Sequence, residues 1–182
     1  MQAAVDLIST KSYNGTSTLQ IAKHAGLSQA TLFKYFKTKE DLLTAILHPI
    51  VPGLFGRFFE ELLAFNTTEE KVHYLVHNRM AYLKKNRALM KIILQEIFSN
   101  KKLRKEQLYI WNTLQDKLLR LHKELIKDSR VNPELTIPQM VRLCVGPLLG
   151  YFAQLYIVGD KGDIREEDLD LLEKQILGGL WK

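Results

Sequence analysis

Glu70, His73 and His77 fall at intervals of three and four residues. On a helix that spacing puts one carboxylate and two imidazoles on a single face, a set able to hold a divalent metal ion. A di-iron carboxylate bundle would need a second Glu-x-x-His and two more inward glutamates, and no second Glu-x-x-His occurs. No metal site is therefore expected, because histidines on a helix more often serve as surface or partly buried polar groups. The lone Cys144 cannot close an intramolecular disulfide, no zinc-finger spacing accompanies it, and it reads as core. A nucleophile elbow, a phosphate loop and a dinucleotide fingerprint are all missing, so neither an enzyme nor a cofactor is expected. What remains is a small polar face with a basic rim between Ser17 and Phe36, whose residue types suit contact with a polyanion.

The elements that must position that face read as helices throughout, since apolar residues recur every three or four positions and no long stretch alternates. An all-α fold follows. A first helix is expected over about 2–10, with Ala4, Leu7 and Ile8 inward and Tyr13-Asn14-Gly15 as the turn after it. Ser17 and Gln20 form a capping box that opens a second helix, ending near His24. Ala25-Gly26-Leu27 is a tight turn whose glycine can take a positive φ, and Ser28 caps a third helix running to about Phe36. Thr38 and Asp41 open a fourth. Pro49 and Pro52-Gly53 interrupt it, which places a domain boundary between residues 1–48 and 49–182. Further helices are expected at about 54–65, 68–84, 87–98, 102–128, 137–158 and 164–178.

A short helix, a glycine turn and a second short helix over residues 17–36 make a helix-turn-helix. On the third helix Leu32 and Phe36 point toward Ile21 and Ala22, leaving Ala30, Thr31, Lys34 and Lys37 outward, flanked by Phe33 and Tyr35. Such a face fits a DNA major groove, with polar side chains at base edges and lysines at phosphates. From Tyr13 to Leu43 the chain resembles, without a gap, the N-terminal signature of the TetR/AcrR family of bacterial regulators. The resemblance rests on Ile21-Ala22, the Ala25-Gly26-Leu27-Ser28 turn, Thr31-Leu32-Phe33-Lys34-Tyr35-Phe36 and Lys39-Glu40-Asp41-Leu42-Leu43. It implies a ligand-responsive transcription regulator: an N-terminal three-helix helix-turn-helix domain followed by a larger helical domain for ligand binding and dimerisation. Carried over by position, Gln29, Ala30 and Phe33 would lie over bases, while Thr18, Thr31, Tyr35 and Lys39 hold phosphates with help from Lys34 and Lys37. Phe33 stands where tyrosine is common, and Leu19 where some members carry a base-reading cation.

Charge is distributed unevenly: +2 over residues 1–48, −1 over 49–83, +8 over 84–130 and −3 over 131–182, for a net +6. The basic stretch reads mainly as a solvated helix face, with attraction of an anionic ligand as a second role. Gly146 and Gly150 lie one turn apart on an apolar helix, a spacing that lets another backbone approach closely. With the stripe Leu169, Leu172 and Ile176 they are the expected homodimer interface, in the position of the two-helix dimer contact that the resemblance implies. The resemblance implies a pocket for a small, largely apolar effector, for which Phe59, Tyr74, His77, Met80, Phe98, Trp111 and Gln115 are the candidate lining, although the same aromatic residues also read as ordinary core. The partners are thus a double-stranded, palindromic DNA operator, a second copy of the chain and the effector, and the expected role is repression. Glycines, a proline and Gln154 break the longest apolar run, and no secretory signal is seen, so a cytoplasmic protein without a membrane partner is expected. The alternatives are a helical metal-binding protein and a protein-interaction module without DNA.

Overall fold

The computed structural model describes residues 1–48, 55–96, 101–159 and 162–182, with 101–111 given as helix backbone alone. The fold is all-α, as the three- and four-residue periodicity predicts. The described helices are α1 (Gln2–Lys11), α2 (Thr18–His24), α3 (Gln29–Tyr35), α4 (Lys39–Leu47), α5 (Phe58–Ala64), α6 (Thr68–Lys85), α7 (Arg87–Glu96), α8 (Lys101–Leu125), α9 (Ile137–Ala153) and α10 (Glu166–Leu180). A π-helical turn, Gln154–Val158, extends α9. Among the described residues the β pairing is an isolated antiparallel bridge between Val131 and Trp181.

Packing divides the chain into two units, Met1–Leu54 with Asn86–Trp111 and Phe55–Lys85 with Asn112–Lys182. The boundary expected at residues 48/49 borders residues outside the described set. α7 groups with the N-terminal helices because it packs on α1 and α4, burying Met90 and Ile92. In the first unit Ala4, Val5 and Ile8 of α1, Ile21 and Ala22 of α2, Leu32 of α3 and Leu42, Leu43, Ile46 and Leu47 of α4 are also buried. The turn after α1 needs Gly15, since a Cβ there would lie 2.1 Å from the Lys11 carbonyl oxygen.

In the second unit α6 packs on α5, α9 and α10, and α9 packs on α10. Val72, Val76 and Met80 of α6 are buried, as are Met140, Cys144, Leu148 and Phe152 of α9. Burial pushes the Cys144 thiol up to about 12, which makes it an inert core residue. Leu169, Leu172 and Ile176 of α10 are also buried within the chain. This corrects their assignment to the dimer interface: the apolar stripe is consumed by the chain's own core and offers no surface to a partner. Over Ile137–Val158 the chain is long and apolar enough, by length and composition alone, to cross a membrane, a test that a core helix of a soluble protein also passes. Only 11% of that apolar window is buried inside the chain, so much of α9 presents carbon to its surroundings.

The second unit is tied at one end by Asp128. Its carboxylate accepts from the Thr68 hydroxyl at 2.8 Å and from Arg130 Nη2 at 2.7 Å and Nε at 3.0 Å. Arg130 also donates to both oxygens of Glu69 and lies 4.9 Å from the centre of the Trp181 ring. The Arg130 hydrogen bonds hold Asp128 well below the usual carboxylate range. Because Thr68 is buried, Asp128→Ala leaves its hydroxyl without this partner, an expected loss of about 1 kcal/mol. A lower urea midpoint at unchanged slope is the expected measurement. A depressed carboxylate stabilises above its unfolded pKa, so the difference between wild type and variant should shrink as pH falls through the native value.

Candidate functional site

Local rules build the reading face. The Ser17 hydroxyl accepts from Gln20 N at 3.2 Å, and Gln20 Oε1 accepts from Ser17 N at 2.8 Å, closing the expected capping box of α2. α2 ends with Gly26 at φ +69°, while Leu27 N donates to Ala22 O and Gly26 N to Lys23 O. This pair of bonds satisfies the last carbonyls of α2 and turns the chain into α3. Ser28 Oγ accepts from Thr31 N at 3.0 Å, and Thr38 and Asp41 cap α4 reciprocally.

On α3 Leu32 is buried, and Ala30, Phe33, Lys34 and Tyr35 are exposed, as is Lys37 just beyond. Tyr35 is 75% exposed and Phe33 41%, so both rings lie open for stacking or apolar contact. Gln29 Nε2 donates to Thr18 Oγ1 at 2.8 Å, linking the starts of α2 and α3. This bond uses a Thr18 lone pair and leaves its hydroxyl proton to donate to a phosphate, while the Gln29 carbonyl oxygen stays free to accept at a base edge. The Thr31 and Ser28 hydroxyls lie 2.8 Å apart.

Lys39 is placed differently from the other lysines. Its ammonium donates to the Tyr13 carbonyl oxygen and sits 4.0 Å from the centre of the Tyr13 ring, and burial lowers its pKa. The side chain thus clamps the start of α4 to the turn before α2. That bond uses one of three ammonium N–H donors, so the others can still meet a phosphate. Burial and the carboxylates of Glu40 and Glu96 raise the Tyr13 phenol well above its ordinary range. Burial also raises Glu96 at the end of α7. Sequence reasoning missed this Tyr13–Lys39–Glu96 group because its members meet only through tertiary packing.

The family model describing bacterial regulatory proteins of the tetR family matches residues 1–46, the segment that carries these caps and this face. Residues 1–46 thus form an N-terminal domain of the TetR type. Whole-chain likenesses show a shared fold. A TetR family transcriptional regulator, PfmR, from Thermus thermophilus has a TM-score of 0.78 at 23% identity, covering 100% of this chain and 98% of its own. The transcriptional regulator FadR from Bacillus subtilis, solved in complex with stearoyl-CoA, has a TM-score of 0.73 at 23% identity, covering 97% and 93%. By sequence, the fatty acid metabolism regulator protein of Bacillus subtilis is 29% identical over 46% of this chain and 43% of its own length. The nucleoid occlusion factor SlmA of Vibrio campbellii is 22% identical over 82% of this chain and 76% of its own. The matched segment is a TetR-type helix-turn-helix, and the solved structures share its all-helical continuation.

TetR-type sensing would fall to the second unit, where the residues expected to line a pocket do not all converge. Phe59 is buried against Phe58, with ring centroids 5.3 Å apart, and Phe58 stacks on Tyr74 at 5.7 Å. The Tyr74 hydroxyl donates to Glu61 and accepts from Asn78, and burial with the Glu61 bond pushes it up to about 12. Met80 is buried, and Gln115 is exposed. His77 faces Glu173 on α10 rather than the rings of α5. Phe98 and the side chain of Trp111 lie outside the described residues. Arg79, which sequence reasoning did not single out, stacks its guanidinium 3.9 Å from the centre of the Phe58 ring and 5.4 Å from that of Tyr82. A cation held against apolar rings is the kind of polar anchor that a largely apolar pocket uses.

Proposed function

We propose that this protein is a transcription regulator of the TetR family, a homodimeric repressor that reads a palindromic operator and is released by a small, largely apolar effector. Residues 1–48 read DNA, and residues 49–182 sense and dimerise. The observation that carries this reading is the outer face of α3, where Phe33 and Tyr35 stand exposed beside Thr31, Lys34 and Lys37 on a fully capped helix. Thr18, Gln29, Ala30 and Lys39 complete the proposed contact set. Lys39 acts as a clamp that orients α4 and also meets phosphate on binding. For the dimer, the support is the exposure of Gly146, Gly150 and Val145 on α9, of Ile157 in the π-helical turn after it, and of Leu171 and Gly178 on α10. For the effector, the Phe58, Phe59 and Tyr74 rings with the Arg79 cation fit an acyl chain carrying an anionic head, the class bound by the solved stearoyl-CoA complex.

The direct test is a gel shift with DNA upstream of the chain's own gene, followed by footprinting. Tyr35→Ala is expected to weaken operator and non-specific DNA alike, because a phosphate contact carries no sequence information. Phe33→Ala is expected to relax discrimination at one base step by about 1–3 kcal/mol. Operator affinity should fall steeply with salt, as each neutralised phosphate releases condensed counterions. A flat salt response, or a wild type that leaves the upstream DNA unshifted while binding another protein, would reverse the reading in favour of an interaction module.

A further inference from the structure

We propose that His73, His77 and Glu173 form a site for a divalent transition-metal ion of the zinc class, a clamp between α6 and α10. His73 Nδ1 lies 2.9 Å from Glu173 Oε1 and His77 Nε2 lies 3.1 Å from the same oxygen. All three ligand atoms fall within 4.8 Å of one another. A tetrahedral ion with bonds of about 2.0–2.1 Å separates its ligand atoms by roughly 3.3 Å, so modest side-chain rotations open the triad to the required spacing. Two imidazoles and one carboxylate are the donor set of zinc sites that keep a position open. Glu166 Oε1, 3.8 Å from His77 Nε2, is placed to fill that position, or water can.

Several features separate this cluster from an ordinary surface ion pair. Two imidazoles converge on one carboxylate oxygen, with ring centroids only 4.1 Å apart. A single divalent ion satisfies both ring nitrogens and the carboxylate together. Glu173 and His77 are 19% and 30% exposed, so two ligands are held by packing, and His73 at 61% leaves an entry from solvent. Glu70, the partner that spacing alone suggests for the histidines, is engaged elsewhere. Its Oε2 accepts from Asn66 N at 3.1 Å and Thr67 N at 3.0 Å at the start of α6. The third ligand comes instead from a residue 96 positions beyond His77. Bound metal would pin α6 to α10 and stabilise the second unit by mass action, whether or not the operator reading holds.

The test uses the full chain without an affinity tag, stripped with a chelator and dialysed. Co(II) titration is expected to give the visible d–d bands of a low-coordinate site, saturating at one ion per chain, and Zn(II) should displace them. Zn(II) should also raise the melting temperature of the wild type. His77→Gln and Glu173→Gln are expected to weaken binding by about a hundredfold or more, since loss even of an outer-shell partner costs roughly 10–100-fold. His73→Gln repeats the test at a more exposed side chain, where folding is least at risk. Glu70→Gln should bind as the wild type does. Absence of saturable binding would overturn the proposal. So would undiminished binding in His77→Gln and Glu173→Gln, which would move the ion to His24, His48 or His122. A loss in Glu70→Gln equal to that in Glu173→Gln would restore the single-helix site and overturn the clamp.

Discussion

Gly150→Arg is expected to yield a folded monomer whose operator affinity is lower by about a hundredfold or more. Gly150 is exposed, and a Cβ built on it meets nothing within 4 Å, so the protomer itself has room for a side chain. Gly146, one turn earlier, and Gly178 on α10 are equally open. In the isolated chain, exchanging a helical glycine for any residue with a Cβ should even favour the helix, glycine costing about 1 kcal/mol relative to alanine. The damage falls on the proposed interface alone. There a long cation would either hold two backbones apart or be buried without a partner. A helix-turn-helix dimer reads two half-sites at once, and losing the second converts an intramolecular contact into an independent one, which removes a factor of about 10²–10⁴. Sedimentation at micromolar concentration and a gel shift measure the two effects separately. A variant that remains dimeric places the interface off this face. Leu171→Lys, at an exposed leucine on α10, asks the same question without touching α9.

What could be read beforehand was local. The boxes at Ser17/Gln20 and Thr38/Asp41, the Ser28 cap and the positive φ of Gly26 depend on residues within four positions of one another, and each formed as expected. Inward periodicity was equally legible, but it marks a buried side without saying what buries it. Leu169, Leu172 and Ile176 show the consequence, since their stripe faces the chain's own core and the outward positions of α9 and α10 are left to carry the proposed partner surface. Long-range partners were illegible for the same reason. Glu70 and Glu173 are chemically identical, and only packing decides that the first caps a helix and the second meets the histidines. Lys39 likewise looks like any basic residue beside a reading helix until folding brings it over Tyr13. α7 joins the first unit because Met90 and Ile92 are buried where α7 meets α1 and α4, although α6 and α7 are separated in sequence only by Asn86.

The second large effect expected from the proposed switch is that an acyl-CoA weakens operator binding and the operator weakens acyl-CoA binding by the same factor. The chain passes from the second packing unit to the first at Lys85–Asn86, and α7 then packs on α1 and α4. In the proposed switch, a ligand held by the α5–α6 rings acts on the first unit through the chain connection at Asn86, which leads directly into α7. It can do so only by its differential affinity for the two arrangements, which makes the coupling reciprocal and typically ~5–150-fold. Stearoyl-CoA is the first ligand to titrate, with octanoyl-CoA and free coenzyme A as comparisons that vary the chain and keep the anion. Calorimetry with and without operator should give the same ratio that gel shifts give with and without ligand. Arg79→Met keeps the bulk beside Phe58 and Tyr82 but removes the cation, so it should weaken acyl-CoA binding about tenfold or more while sparing operator affinity in the absence of ligand. Tight acyl-CoA binding that is indifferent to operator would end the switch mechanism and leave the DNA reader standing. Failure of every acyl-CoA to bind, with operator binding intact, would instead send the effector search to another chemical class.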